Sequence, residues 1–227
     1  MIAVDLDQTA VRELNSRLHA LPSDTNETRW RLANPKGRHN LAVGLDRAVR
    51  IEIEGHVGYY CGGMNKQAEI VVHGHGGTGL GENIVSGTIR VTGNASASAG
   101  ASGRGGLIVI EGDAAARCGI SMKGVDIVVG GSVGHMSGFM AQAGRLVVCG
   151  DAGVDLGDSI YEAAIYVQGA VPQLGSDCVE QEVTADDRAA LAALLARAGL
   201  AHDAARFRRF GSARQLYNFH IDHAASY

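Results

Sequence analysis

Glycine recurs every 19 residues through the middle of this 227-residue chain, at Gly55, Gly74, Gly93, Gly112, Gly131, Gly150 and Gly169. Each follows or ends a short run: RIEIE, EIVVH, TIRVT, LIVIE, DIVVG, RLVVC and AIYVQ. Four residues before each glycine stands Ile51, Ile70, Ile89, Ile108, Ile127, Leu146 or Ile165, and two before it Ile53, Val72, Val91, Ile110, Val129, Val148 or Val167. Branched aliphatics at strict period two mark strands with one buried face. A fixed spacing between such strands means that each stacks on its predecessor, as in a solenoid. A helical repeat needs more than about 30 residues per unit and a 3.6-residue pattern, which these runs lack.

A second glycine set falls seven residues after the first, at Gly62, Gly81, Gly100, Gly119, Gly138 and Gly157, and a looser third set at Gly87, Gly106, Gly124 and Gly144. Each coil therefore has about three corners. The pattern predicts a mainly β fold: a single-stranded, right-handed parallel β-helix of 19-residue coils with N- and C-terminal α-helical flanks. At about 4.8 Å per ladder step the prism is roughly 29 Å tall. Glycine suits corners where φ is positive or where stacked backbones leave no room for Cβ. The register also puts Cys61 and Cys118 three coils apart, roughly 14 Å by the ladder spacing, beyond the ~7 Å that a disulfide spans.

The flanks are of different material. Residues 1–49 read as a cap with a possible strand (Ile2, Val4, Leu6) and a helix from about Thr9, carrying Val11, Leu14, Leu18 and Leu21 on one stripe. The β-helix occupies 50–175. Residues 176–227 hold a second helix, with Thr184 as N-cap, Asp186 and Asp187 in its first turn, Arg197 in its last and Gly199 as its stop. Open solenoid ends expose strand edges, so caps at both ends are expected. The tail beyond the helix concentrates Phe207, Phe210, Tyr217 and Phe219, and an extended 214–221 places Tyr217, Phe219 and Ile221 on one side. Such a tail packs on its own β-helix or docks on a partner, and the two helices already available for the ends favour docking.

Composition narrows the function by exclusion. Hydrophobic residues make up 46% but aromatics only 5%, so large rings do not fill this core. A formal charge of −4 shows no basic excess of the kind nucleic-acid binders carry. The start lacks a basic signal-peptide n-region, and no apolar run of about 18 residues is present, so the cytoplasm is the expected compartment. Cys61, Cys118, Cys149 and Cys178 have no zinc or iron–sulfur spacing and read as free thiols.

Several constellations resemble sites without completing one. Gly74-x-Gly76-x-x-Gly79 matches a dinucleotide fingerprint in form, but the next element is a strand, Thr88–Thr92, where a phosphate cradle needs a helix N-terminus. His56 and His75 share a phase one coil apart and could hold a metal. Their column continues as Asn94, Asp113, Ser132 and Asp151, which reads as a polar corner stack of local hydrogen bonds. Glu54 and Glu111 share a phase but lie roughly 14 Å apart by ladder spacing, too far for a glycosidase pair. Eight to eleven positions after the strand glycine come Met64, Asn65, Asn83, Met122, Lys123, Phe139, Met140 and Tyr161. Met and aromatic residues on one edge suit a subunit interface, and they equally suit the filling of a wide corner.

The corner sequences Tyr59-Tyr60-Cys61-Gly62-Gly63-Met64, Cys118-Gly119-Ile120-Ser121-Met122-Lys123-Gly124 and Gly134-His135-Met136-Ser137-Gly138-Phe139-Met140 resemble the GXGXG-motif domain. That domain is similar to the C-terminal β-helix of the glutamate synthase large subunit and to the β-helical subunit of formylmethanofuran dehydrogenase. With these flanks the chain looks most like the small β-helix subunit of N-methylglutamate synthase (methylamine–glutamate N-methyltransferase). The resemblance implies one subunit of a transferase that makes N-methylglutamate and ammonia from glutamate and methylamine. Its partners are then an amidotransferase-like subunit and a glutamate-synthase-like subunit holding FMN and an iron–sulfur cluster. It implies no catalytic, cofactor or metal residue in this chain, which acts as scaffold through Tyr59, Tyr60, Met64, Asn65, Met122, Lys123, His135, Met136, Phe139, Met140, Tyr161, Tyr217, Phe219 and Ile221. The alternatives are a β-helix enzyme or ligand-binding protein acting alone, and a scaffold of the formylmethanofuran dehydrogenase kind.

Overall fold

The computed structural model describes residues 1–214, so Tyr217, Phe219 and Ile221 lie outside the described residues. Nine strands stack in parallel: β1 (Ile2–Asp5), β2 (Arg29–Ala33), β3 (Arg50–Ile53), β4 (Glu69–Val72), β5 (Thr88–Val91), β6 (Leu107–Ile110), β7 (Lys123–Val129), β8 (Ala143–Val148) and β9 (Ala164–Val167). From β3 to β9 the paired residues run Arg50, Glu69, Thr88, Leu107, Asp126, Arg145, Ala164, each 19 residues after the last. This is a parallel β-solenoid, and its two aliphatic columns face inward, from Ile51 and Ile53 through Ile165 and Val167, all fully buried. The ladder begins earlier than the 19-residue period does, because β1 and β2, inside the N-terminal flank, pair with each other and β2 pairs with β3.

The second glycine set marks an unusual corner. In each coil three alternating residues take left-handed backbone angles: Tyr60, Gly62 and Met64, then Gly79, Gly81 and Asn83, and so on to Asp155, Gly157 and Ser159, with φ from +51° to +71°. The N–H groups alternate in direction. Tyr60 and Met64 donate to Thr78 and Glu82 of the next coil, while Gly62 between them donates to Leu41 of the coil before, all at 2.9 Å. Left-handed geometry costs an L-residue about 1–2 kcal/mol, and each added inter-coil hydrogen bond returns about 0.5–1.5 kcal/mol. Only the middle position demands glycine, because its Cβ would point into the prism. At Gly81 (φ +63°) a Cβ would lie 2.7 Å from Cδ1 of Ile108 and 3.0 Å from Cδ1 of Ile89. The strand glycines answer a different constraint: a Cβ on Gly150 would sit 2.6 Å from Ser132 Oγ and 2.8 Å from the Gly131 carbonyl of the coil below.

The N-terminal end is closed by α1 (Val11–His19), which starts two residues later than its sequence pattern suggests and buries Leu14 and Leu18. Its polar side chains finish the first corner. Asn15 donates to the Asn40 carbonyl at 2.7 Å and accepts from the Ala42 N–H at 3.0 Å, and His19 Nε2 bonds the Val43 carbonyl at 2.7 Å.

The second helix does not cap the other end, contrary to the expectation that both helices cover open ends. α2 (Ala185–Ala198) lies across the outside of the sheet. There Leu191, Leu194, Leu195 and Ala198 pack on the outward residues Val109, Val128, Val147 and Tyr166 in a second core. Outward valines on three successive strands leave an apolar face that a helix has to cover. Fourteen residues at about 1.5 Å rise span roughly 21 Å, which matches four ladder steps of about 4.8 Å from β9 to β5. The far end of the ladder is instead extended by β11 (Arg208–Ser212), antiparallel to β9, and by β10 (Cys178–Gln181) beyond it.

Polar contacts fix α2 at both termini. Thr184 and Asp187 form a capping box, and the Tyr166 hydroxyl donates to Asp187 Oδ1 at 2.7 Å. At the other terminus Arg90 Nη2 donates to the Ala198 carbonyl at 2.5 Å. Burial opposes the charge on Asp187, but hydrogen bonds from Thr184 and Tyr166 and the nearby Arg209 outweigh it and hold the carboxyl below its ordinary value.

Two tests follow from this geometry. Gly81→Ala combines left-handed strain of ~1–2 kcal/mol with overpacking of ~1–3 kcal/mol, so thermal or urea unfolding should show a loss of about 2–5 kcal/mol. Ser98→Gly, at a left-handed position that is not buried, should be neutral or stabilising; equal losses in both variants would refute the steric account. For α2, a lowered folded-state pKa means that Asp187 contributes stability above its unfolded value of about 4, and that this is lost as pH falls through the lowered value. Tyr166→Phe should lower stability by about 1 kcal/mol and move the acid unfolding midpoint upward, as read from melts taken from neutral pH down through the carboxylate range.

Candidate subunit interface

Because the period is fixed, a residue's place after the strand glycine decides where its side chain goes. The position immediately after the glycine forms a polar ladder. His56 Nδ1 accepts the His75 N–H at 2.9 Å and His75 Nδ1 that of Asn94 at 2.8 Å. Asn94, Asp113, Ser132 and Asp151 then each accept the N–H of the next coil, ending at Ala170. The polar-stack reading of this column is the one the hydrogen bonds carry, with the imidazoles stacked at 4.7 Å.

The candidate interface residues divide by phase. Tyr59 is 60% exposed and stacks on His39 at 4.1 Å. Tyr60 and Met136 occupy the first left-handed position of their coils and are half-buried. Met64 (45% exposed) and Met140 (37%) occupy the third, and their side chains reach solvent. Lys123, His135 and Tyr161 are exposed and Phe139 is half-buried. Two assignments fail. Asn65 and Met122 stand ten residues after the strand glycine, where side chains turn inward, and both are fully buried. Asn65 accepts the Ala68 N–H and donates to its carbonyl, closing a tight turn, and Met122 belongs to the main core. Neither contributes to a surface.

Residue type alone misses two exposed residues, Val85 at 40% and Val154 at 43%. The period is the signal that finds them: Val85 shares its phase with Lys123 and Tyr161, and Val154 with Tyr59 and His135. Apart from Met1 and Val179, the exposed large apolar residues thus gather at the left-handed corner toward its two ends, Tyr59, Met64 and Val85 in early coils and Met140, Val154 and Tyr161 in late ones.

The cysteines have no exposed role. Burial pushes the thiols of Cys61 and Cys118 up to about 12 and those of Cys149 and Cys178 up to about 11. All four are buried and free, so the thiolate needed for nucleophilic attack or metal binding is disfavoured at neutral pH. Among the described residues no helix is long and apolar enough to cross a membrane.

No protein-family model matches the chain, and no solved structure matches it. Among curated proteins it is similar to Protein GlxC of Rhizobium meliloti (strain 1021), with 53% identity over 228 residues that cover 100% of both chains. A relation of that depth over the whole length includes the solenoid, both helices and the tail, and the chain belongs to the GlxC family.

Proposed function

We propose that this protein is the non-catalytic structural subunit of a glutamate-synthase-like, FMN-dependent complex in the cytoplasm, and specifically of an N-methylglutamate synthase. The observation that carries the reading is the corner itself. The GXGXG-like repeat corresponds to a left-handed triplet whose central glycine is sterically required, so the resemblance rests on the element that builds the fold. Full-length similarity to GlxC fits a glutamate-synthase-related subunit.

In this reading the chemistry is divided. An amidotransferase-like subunit and a flavin- and iron–sulfur-bearing subunit carry turnover, and this chain holds them in register. The buried positions of the four cysteines fit a chain that leaves cluster ligation to its partner. The long rigid corner, with side chains projecting at fixed ladder intervals, fits a docking platform.

Co-expression of the chain with the flavoprotein and amidotransferase-like subunits tests the proposal. The expected result is a stable ternary complex that forms N-methylglutamate from glutamate and methylamine, while the chain alone purifies colourless and inactive. Stoichiometric flavin retained by the pure chain, or full synthase activity without it, would overturn the scaffold role.

A further inference from the structure

The position eleven residues after the strand glycine forms an unbroken surface row: Lys66, Val85, Arg104, Lys123, Gln142 and Tyr161. All six are exposed. Their register is fixed by the backbone, since each donates its N–H to the coil before at 2.7–2.8 Å, from Lys66 on Leu45 to Tyr161 on Ala141. Five steps of about 4.8 Å make the row roughly 24 Å long.

The charge along this row differs from the paired charges of the strand face. On the strand face Arg31 meets Glu54, Arg50 meets Glu69, Arg90 meets Glu111 and Arg145 meets Asp126. Among the described residues, Lys66, Arg104 and Lys123 take part in no ion pair. The acidic residues of adjoining phases, Glu82, Asp158 and Glu162, fall in the outer coils, so Arg104 and Lys123 at the centre have no carboxylate in the neighbouring phases of their own coils. On a chain of net charge −4 this row gathers Lys66, Arg104 and Lys123, and it is bordered by the exposed thioethers of Met64 and Met140 and ends on Tyr161.

We propose that this row is the docking surface for an acidic face of a partner protein, with Arg104 and Lys123 meeting carboxylates and Met64, Met140 and Tyr161 as apolar anchors. Unpaired cations flanked by Met and Tyr on a rigid ladder combine electrostatic steering with anchor contacts. The row is too short, and the protein too acidic, to suit nucleic acid, which calls for a broader basic patch. The proposal rests on the scaffold reading for the identity of the partner, the FMN-binding glutamate-synthase-like subunit.

The test is calorimetric titration of the full chain with that purified flavoprotein at low and at physiological salt. Wild type should bind more weakly as salt rises. Arg104→Glu combined with Lys123→Glu should weaken binding at least tenfold and flatten the salt dependence while the melting temperature stays at the wild-type value, and Tyr161→Ala should weaken it at either salt. Arg188→Glu, on the exposed side of α2, should bind like wild type. Undiminished binding by the double variant overturns the docking surface and leaves the scaffold reading standing. Failure of wild type to bind the flavoprotein overturns both. Self-association in sedimentation, or retention of duplex DNA, that the double variant abolishes would assign the row to a second copy or to nucleic acid and overturn the partner proposed here.

Discussion

The solenoid depends on a steric relation between two columns. The central left-handed residue of each corner looks straight at the δ-carbons of the isoleucines that fill the prism, and the space between them is smaller than a methyl group at Gly62, Gly81 and Gly138. Isoleucine at the first inward position and glycine at the corner are therefore one choice made twice. With the glycine in place the chain can pass close to the core and send alternate N–H groups to the coils above and below. The flanking left-handed positions escape this restriction because their side chains point away from the core, which is how Tyr60, Arg117, Met136 and Asp155 come to occupy angles usually left to glycine or asparagine. The first corner departs from this rule: its central position is Ala42, left-handed at φ +56° and fully buried, and its N–H meets the α1 side chain Asn15 where later coils meet a carbonyl.

The outside of the sheet is governed by a different column. On β2, β3 and β5 the outward residues are Arg31, Glu52 and Arg90, which water accepts, with the buried Val71 of β4 between them, whereas β6 to β9 present an unbroken run of Val109, Val128, Val147 and Tyr166. That change of character along the ladder sets where α2 lies. The helix ends where charge begins, and Arg90 marks the boundary by donating to the last helical carbonyl while pairing with Glu111. A cation at a helix C-terminus also complements the helix dipole.

The repeat, its strands and its inward columns are all legible in the sequence, because a side chain's direction in a fixed-period solenoid is a function of phase alone. The same arithmetic explains why Asn65 and Met122 are not surface residues. Residue type groups both with neighbours one position away, and one residue at this corner is the difference between solvent and core. The placement of α2 is harder to read. Its apolar stripe is short, and the face it covers is visible only when the outward residues of β6 to β9 are taken as a column and compared with the charged Arg31, Glu52 and Arg90 of β2, β3 and β5. The antiparallel β11 and β10 carry no trace of the period, so nothing in the 19-residue pattern announces that the ladder continues through them.

The two kinds of corner position also separate stability from recognition. Inward positions and the central glycine are fixed by packing, and a change there disturbs the coils on either side. Outward positions of the same corner keep their backbone hydrogen bonds whatever side chain they carry, since it is the main chain that is locked. Residues such as Lys66, Arg104 and Lys123 can therefore be selected for what they meet in solution without loss to the fold, and stacking holds them at intervals no flexible loop could maintain. A solenoid with this corner is suited to presenting a row of chemically varied side chains on an invariant frame, with the phase after the strand glycine deciding which residues the frame uses and which a partner reads.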